Sequence, residues 1–158
     1  MNDSHVRRRR YSEGTTIVET AIILPVFITF IFGLIAYGHA QMVSNMLKGA
    51  TRSAARYGAT EGVTSAQTTA RLKDIMASGV NSSLISVQIK DAKAYDTGST
   101  FPNSLSAVTA LPNLELSSAG TRQLFCVSAS VDYNSVAILP ISWLKNKTFH
   151  SEAFMRHE

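Results

Sequence analysis

Apolar residues form one uninterrupted run near the start of the chain and alternate with polar residues further on. No residue from Ala21 to Gly38 is charged, and about 18 such residues are enough to cross the hydrocarbon core of a bilayer as a helix. The helix is predicted to continue to about residue 60, where "YGATEG" ends it. A weakly apolar face recurs three or four residues apart in this extension, at Met42, Met46, Ala50, Ala54 and Tyr57.

The second half of the chain predicts one more helix and three strands. The stretch "TSAQTTARLKDIMASG" has Thr64 or Ser65 as a suitable N-cap and Gly79 as a stop. Alternation with a period of two predicts strands in "LISVQIK", "LFCVSASVDY" and "KTFHSEAFMRHE". The inner face of the sheet is predicted to comprise Ile85, Val87, Ile89, Phe125, Val127, Ala129, Val131, Tyr133, Phe149, Ala153 and Met155.

These elements predict an α+β fold with a long N-terminal (transmembrane) helix, a second helix and a small antiparallel sheet of three to four strands. The sheet should have one packed face, covered by the helices. Residues 96–121, rich in Ser, Thr, Asn, Gly and Pro, predict a long surface loop or one irregular strand. The stretch "NSVAILPISWL" predicts a short helix or a hydrophobic corner under the sheet, the alternative being an exposed contact surface. The predicted segments are 1–14 (basic leader), 15–60 (membrane helix with its extension) and 61–158 (extracytoplasmic domain).

Charge is informative mainly through its position. The net charge is +4, and four of the 15 basic residues are Arg7 to Arg10. The others are scattered without a basic stripe between aromatics, so nucleic-acid binding is not predicted. Arginines before the span place the N-terminus in the cytoplasm and residues 61–158 outside a single-pass inner-membrane anchor. Lys48, Arg52 and Arg56 lie beyond the span and oppose this orientation, but four contiguous arginines outweigh them.

The sequence offers little for catalysis. It has no phosphate-binding glycine loop, no nucleophile elbow and no histidine pair at a metal-ligand spacing. Asp132 and His150 could pair across strands, but no nucleophile accompanies them. Cys126 alone cannot form an internal disulfide; it is interpreted as a buried strand residue, with a reactive thiol or intermolecular disulfide as the alternative. We therefore predict no enzyme activity, no catalytic residue, no metal and no cofactor.

Glu19 stands at the head of the apolar run, where a carboxylate is costly and needs a partner or a purpose. A basic leader ends in Gly14, and cleavage after it would make Thr15 the new N-terminus and Glu19 the fifth residue. This order resembles the processing segment of type IV pilins and pseudopilins. More narrowly, "RRRRYSEGTTIVETAIILPVFITFIFGLIAYGHA" resembles the TadE-like minor pseudopilins of the tight-adherence (Tad) pilus system.

The resemblance implies a minor subunit or assembly factor of a Tad-type pilus used in adhesion. It rests on the arginines, on the "RSAAR" of the helix extension, and on Gly14, Val18, Glu19, Ala21, Leu24, Pro25, Gly33 and Gly38. It implies cleavage after Gly14 by a prepilin peptidase. The other partners that it implies are the major pilin, a second pseudopilin and the inner-membrane assembly platform.

Several alternatives stay open on the sequence. In a filament, Glu19 of one subunit could meet the Thr15 amine of another and set the register, or Glu19 merely reaches the cytoplasmic interface. Pro25 either lets the helix melt locally during assembly or is a tolerated kink. The span could also be a secretory signal cut near Ala40. The rival functions are a signal-anchored binding domain not processed at Gly14 and, with no nucleophile–base set to support it, an extracytoplasmic hydrolase.

Overall fold

The computed structural model of the chain describes residues 4–96, 98, 105–137, 145 and 147–158. Two units are distinguished, Met1–Gly38 and His39–Glu158. The helices are α1 (Ser4–Gly58), α2 (Ser65–Met76), α3 (Lys93–Asp96), α4 (Leu105–Thr109) and α5 (Tyr133–Val136). The strands are β1 (Ile85–Asp91), β2 (Leu124–Asp132) and β3 (Thr148–Arg156), and short 3-10 turns occupy Ser82–Leu84 and Leu116–Ser118.

The first unit presents an apolar helix surface. Every large apolar side chain between Ile17 and Tyr37 is exposed, including Phe27, Phe30 and Phe32. This part of α1 lies in the one candidate membrane span of the described residues, whose apolar window has a mean hydropathy of 2.3. Length and composition are compatible with a single-pass membrane anchor.

The second unit contains an antiparallel sheet in the order β1-β2-β3. Ile85 of β1 lies opposite Val131 of β2, and Leu124 of β2 lies opposite Arg156 of β3. The predicted α+β class and the three predicted strands are confirmed. Helix α2 begins as predicted, because Thr64 is its N-cap and forms a reciprocal capping box with Gln67.

The main core lies on the odd-numbered face of the sheet, as the alternation predicted. Phe125, Val127 and Ala129 are fully or almost fully buried there with Leu72 and Met76 of α2. The predicted inner residues of β3 pack against the same cluster and are partly buried. Burial of these side chains is the main favourable contribution to folding of this unit.

The face that the second half of α1 buries differs in part from the predicted one. Of the five residues of the weakly apolar face, Met46, Ala50 and Ala54 pack in the core, whereas Met42 and Tyr57 are 51% and 41% exposed. The buried side chains are rotated from them by about one residue and comprise Val43, Leu47, Ala50, Thr51, Ala54 and Ala55. Thr51 can lie on this face because its hydroxyl donates a hydrogen bond to the carbonyl of Leu47 (2.7 Å). This bond satisfies a polar group inside the core.

The opposite face of β2 is also packed, so the expectation of a single packed face is wrong. Leu124 and Cys126 form a second cluster with Ala92 and Val108, and Tyr95 and Phe154 pack at its border. Arg156 of β3 forms a bidentate ion pair with Asp96 of α3, with Nη2–Oδ1 and Nη1–Oδ2 distances of 2.6 and 3.0 Å, and so connects α3 to the sheet.

Within the predicted loop of residues 96–121, the described residues 105–121 are more than a surface loop. Val108 of α4 and Leu116 of the second 3-10 turn are fully buried. These elements span five residues or fewer, too short for a helical period to show in the sequence. The stretch "NSVAILPISWL" begins in the short helix α5, and its residues 138–144 lie outside the described residues.

Two glycines of α1 should respond oppositely to alanine. A Cβ at Gly58 would lie 2.8 Å from both Leu116 Cδ1 and Thr68 Oγ1, two fully buried side chains. Such overpacking costs about 1–3 kcal/mol, whereas Gly49 has nothing within 4 Å of its Cβ position. We expect Gly58→Ala to lower the unfolding midpoint and Gly49→Ala to raise stability by roughly 0.5–1 kcal/mol. Denaturant unfolding of the detergent-solubilised chain measures both, and shifts of the same sign would contradict this packing.

Candidate functional site

The peptide bond between Gly14 and Thr15 lies inside α1. Gly14 is exposed, and a Cβ there would meet nothing within 4 Å. Glycine in a helix interior costs roughly 0.5–1 kcal/mol relative to alanine. The helix is therefore intrinsically weak at this bond, and local unwinding at Gly14 costs less than at its neighbours.

Glu19 lies four residues after Thr15, which places the two on the same face of α1 about 6 Å apart along the axis. Its side chain is exposed. Among the residues that the structure describes, its carboxylate accepts no hydrogen bond and forms no ion pair. This leaves the charge available to a group outside the chain.

The polar side chains next to Glu19 and within the apolar run bond to their own helix. Thr20 Oγ1 donates to the carbonyl of Thr16 and Thr29 Oγ1 donates to that of Pro25, each at 2.8 Å. Pro25 has no N–H, so the helical bond to the carbonyl of Ala21 is missing. A helix whose hydroxyls bond to its own backbone suits a lipid environment, and Pro25 marks its weakest backbone position within the apolar run.

Comparison with protein families identifies this segment. Residues 14–56 match the family model described as TadE-like protein. The N-terminal segment of this chain is similar to TadE-like proteins. The match confirms the resemblance expected from the sequence, over residues 14–56. Searches of curated proteins and of solved structures found no match.

The TadE-like segment includes each position singled out in the sequence. The matched range begins at Gly14, contains Thr15, Glu19 and Pro25, and stops two residues before α1 ends at Gly58. It covers all of the apolar run and the part of α1 that packs into the core of the second unit.

Beyond the TadE-like segment, the candidate pair Asp132 and His150 is not formed. Asp132 Oδ1 accepts a hydrogen bond from Thr148 Oγ1 at 2.8 Å, whereas His150 lies opposite Ser130. His157 is buried, and neither ring nitrogen has a hydrogen-bond partner within the described part of the chain. No group of three potential metal ligands occurs among the described residues.

One surface feature was not predicted from the sequence, a groove of about 660 Å³ between α2 and β1. One of its lining residues is Ser65 at the start of α2, whose N–H donates a hydrogen bond to Glu115 Oε1 (2.8 Å). This bond lowers the pKa of the Glu115 carboxyl. Ser65 Oγ also donates to the carbonyl of Leu114 (3.0 Å) and accepts from the N–H of Leu116 (2.9 Å). These bonds hold residues 114–116 against the N-terminal end of α2. The contact joins residues about fifty positions apart, so no local sequence pattern predicts it.

Proposed function

We propose that this protein is a minor pilin (pseudopilin) of a Tad-type pilus. A prepilin peptidase removes residues 1–14, and the mature chain beginning at Thr15 takes part in assembly or initiation of the adhesive fibre. The observation that carries the proposal is the TadE-like match beginning at Gly14 and running into an exposed apolar helix with Glu19 at its head. Its partners are the peptidase, the major pilin, another pseudopilin and the inner-membrane platform.

Cleavage after Gly14 changes the electrostatic surroundings of Glu19. It removes the four arginines of the leader and creates an ammonium group at Thr15, one helical turn before Glu19. It also makes Thr15 the start of the helix, so Glu19 lies near the positive end of the helix dipole. Processing therefore prepares both the carboxylate and the new amine for pairing between subunits.

Transfer from bilayer to filament then favours that pairing. A carboxylate costs about 2.5–3.5 kcal/mol at the bilayer centre and less towards the interface. In a staggered helical bundle, Glu19 of one subunit meets the Thr15 amine of a neighbour in a medium of low dielectric constant. Opposite charges attract strongly there, provided that both are satisfied, and the pair fixes the stagger between subunits.

In this proposal, the apolar part of α1 is the anchor before assembly and the packing surface afterwards. The arginines before the span keep the N-terminus in the cytoplasm, where the peptidase acts, and residues 61–158 lie outside the inner membrane. Pro25, lacking one backbone hydrogen bond, supplies a position at which the helix can adjust during transfer.

The N-terminus of the protein in native membranes tests the proposal directly. We expect intact mass and N-terminal sequencing to show a chain that begins at Thr15, and a chain that begins at Met1 in a strain lacking prepilin peptidase. Gly14→Val should block cleavage. Gly33→Val is the matched control, because Gly33 is also a helical glycine of the TadE-like segment with nothing within 4 Å, and it should be processed normally.

A full-length chain in wild-type membranes would overturn the proposal. The protein would then be a signal-anchored extracytoplasmic binding domain, for which the groove between α2 and β1 is the supporting observation.

A further inference from the structure

The outer edge of β1 is only partly covered. The N–H of Leu114 donates to the carbonyl of Ile89 (3.0 Å), and the N–H of Asp91 donates to the carbonyl of Pro112 (2.9 Å). These bonds show that the backbone groups of Ile89 and Asp91 point away from β2. Alternate residues of an antiparallel strand point to the same side, so the N–H and C=O of Val87 also face outward.

Four adjacent backbone groups on this edge have no partner among the described residues. They are the carbonyl of Ile85, the N–H and carbonyl of Val87 and the N–H of Ile89. The N–H of Ile85 is already bonded to Ser82, and Leu114 covers the edge from the carbonyl of Ile89 onward. An extended segment can satisfy all four groups by adding a strand, which is a recurrent mode of peptide recognition.

The groove between α2 and β1 leaves room for such a strand. It lies along Val87 to Lys90 on one side and along Ala66, Ala70 and Lys73 of α2 on the other. Its volume of about 660 Å³ is within the usual range of about 300–1,000 Å³ for ligand pockets. The wall on α2 is built of small side chains, which permits close approach of another backbone.

Two lysines, Lys73 and Lys90, are the charged residues that line the groove. Lys90 is only 7% exposed, and neither Lys73 nor Lys90 forms an ion pair with any carboxylate of the described residues. The ammonium of Lys90 itself is not fully buried, so a ligand can reach it. Lys90 lies on the even-numbered face of β1, whereas α2 carries Lys73 over the odd-numbered face.

The lining of the groove contains these two lysines and no carboxylate. The acidic residues close to them in sequence or near the start of α2 bond elsewhere: Asp91 accepts from the N–H of Lys93 (2.8 Å), Asp74 lies 4.0 Å from Arg71, and Glu115 accepts from the N–H of Ser65 (2.8 Å). The lining therefore favours an anionic ligand.

We propose that this groove binds an extended acidic segment of another protein, which adds as a fourth strand to the outer edge of β1. Side chains of a strand alternate between its two faces, so two neighbouring carboxylates of the ligand meet Lys73 on one side and Lys90 on the other. Cleavage after Gly14 plays no part, since the groove lies wholly within the unit His39–Glu158.

The test uses the full chain in a neutral detergent and a fluorescent, end-blocked hexapeptide, Thr-Val-Glu-Glu-Val-Thr. We expect fluorescence anisotropy to show at least tenfold tighter binding than for the peptide with Gln-Gln at the centre. Lys73→Glu should weaken binding at least tenfold. Lys93→Glu makes the same charge change at an exposed lysine outside the groove and should leave the affinity within twofold.

Amide hydrogen exchange locates the peptide. Bound peptide should slow exchange at the amides of Val87 and Ile89, because their outward N–H groups become bonded. Equal binding of the Glu-Glu and Gln-Gln peptides, an affinity unchanged by Lys73→Glu, or protection confined to β3 would each overturn the proposal.

Discussion

Replacing Glu19 by glutamine is expected to abolish pilus assembly without preventing cleavage after Gly14. The substitution keeps the size and polarity of the side chain, removes its charge and replaces one acceptor oxygen by an NH2 donor. Because Glu19 has no partner among the described residues of its own chain, loss of the charge should not unfold the protein. What is lost is the attraction to the Thr15 amine of a neighbouring subunit.

Electron microscopy of pili sheared from cells, with N-terminal sequencing of the membrane-bound variant, measures the two properties separately. Glu19→Asp restores the charge on a shorter side chain and should recover part of the assembly. Thr20→Val is the matched control, since Thr20 is adjacent and its hydroxyl bonds only within the helix, to the carbonyl of Thr16. If cells with Glu19→Gln formed pili normally, the pairing would be wrong, and Glu19 would only mark the cytoplasmic end of the membrane span.

The parts of this molecule that the sequence predicted are those governed by local repetition. The apolar run of α1, the capping box at Thr64 and the alternation in β2 each depend on residues a few positions apart. The strand alternation also determined the inner face of the sheet correctly, except at Tyr133, which begins helix α5 instead of ending a strand. The match to TadE-like proteins likewise rests on one continuous segment, residues 14–56.

The parts that were missed depend on contacts between distant residues. The second face of β2 is covered by Val108 and Tyr95, which lie in helices of four or five residues. The buried face of α1 was predicted only in part: Thr51 counts as polar in the sequence, although its hydroxyl is satisfied inside the core. At the start of α2, Ser65 meets Glu115, fifty residues further along the chain, and no spacing rule connects those residues.

Cys126 should react with thiol reagents about a thousandfold more slowly in the folded protein than an exposed cysteine does. Its side chain is fully buried in the second cluster. Burial, with a smaller contribution from the carboxylate of Glu152, raises the pKa of the thiol from 9.0 to about 12. At pH 8 this lowers the fraction of thiolate, the reactive form, by about a thousandfold. The unfolded chain ionises first, so the stability contributed by this site is complete below about pH 9 and declines as the pH rises towards 12.

The measurement is the rate of iodoacetamide labelling at pH 8 in neutral detergent, with and without denaturing urea. The matched control is a double variant, Cys126→Ala with Ser86→Cys, because Ser86 is exposed on the same face of the sheet in the neighbouring strand. It should be labelled at the rate of a free thiol under both conditions, whereas Cys126 should be labelled quickly only in urea. Equal rates in the folded state, or a disulfide-linked dimer on a non-reducing gel, would instead assign Cys126 to the reactive class that the sequence left open. The packing of α3 and α4 on β2 would then need revision as well, because Cys126 is buried beneath Ala92 and Val108.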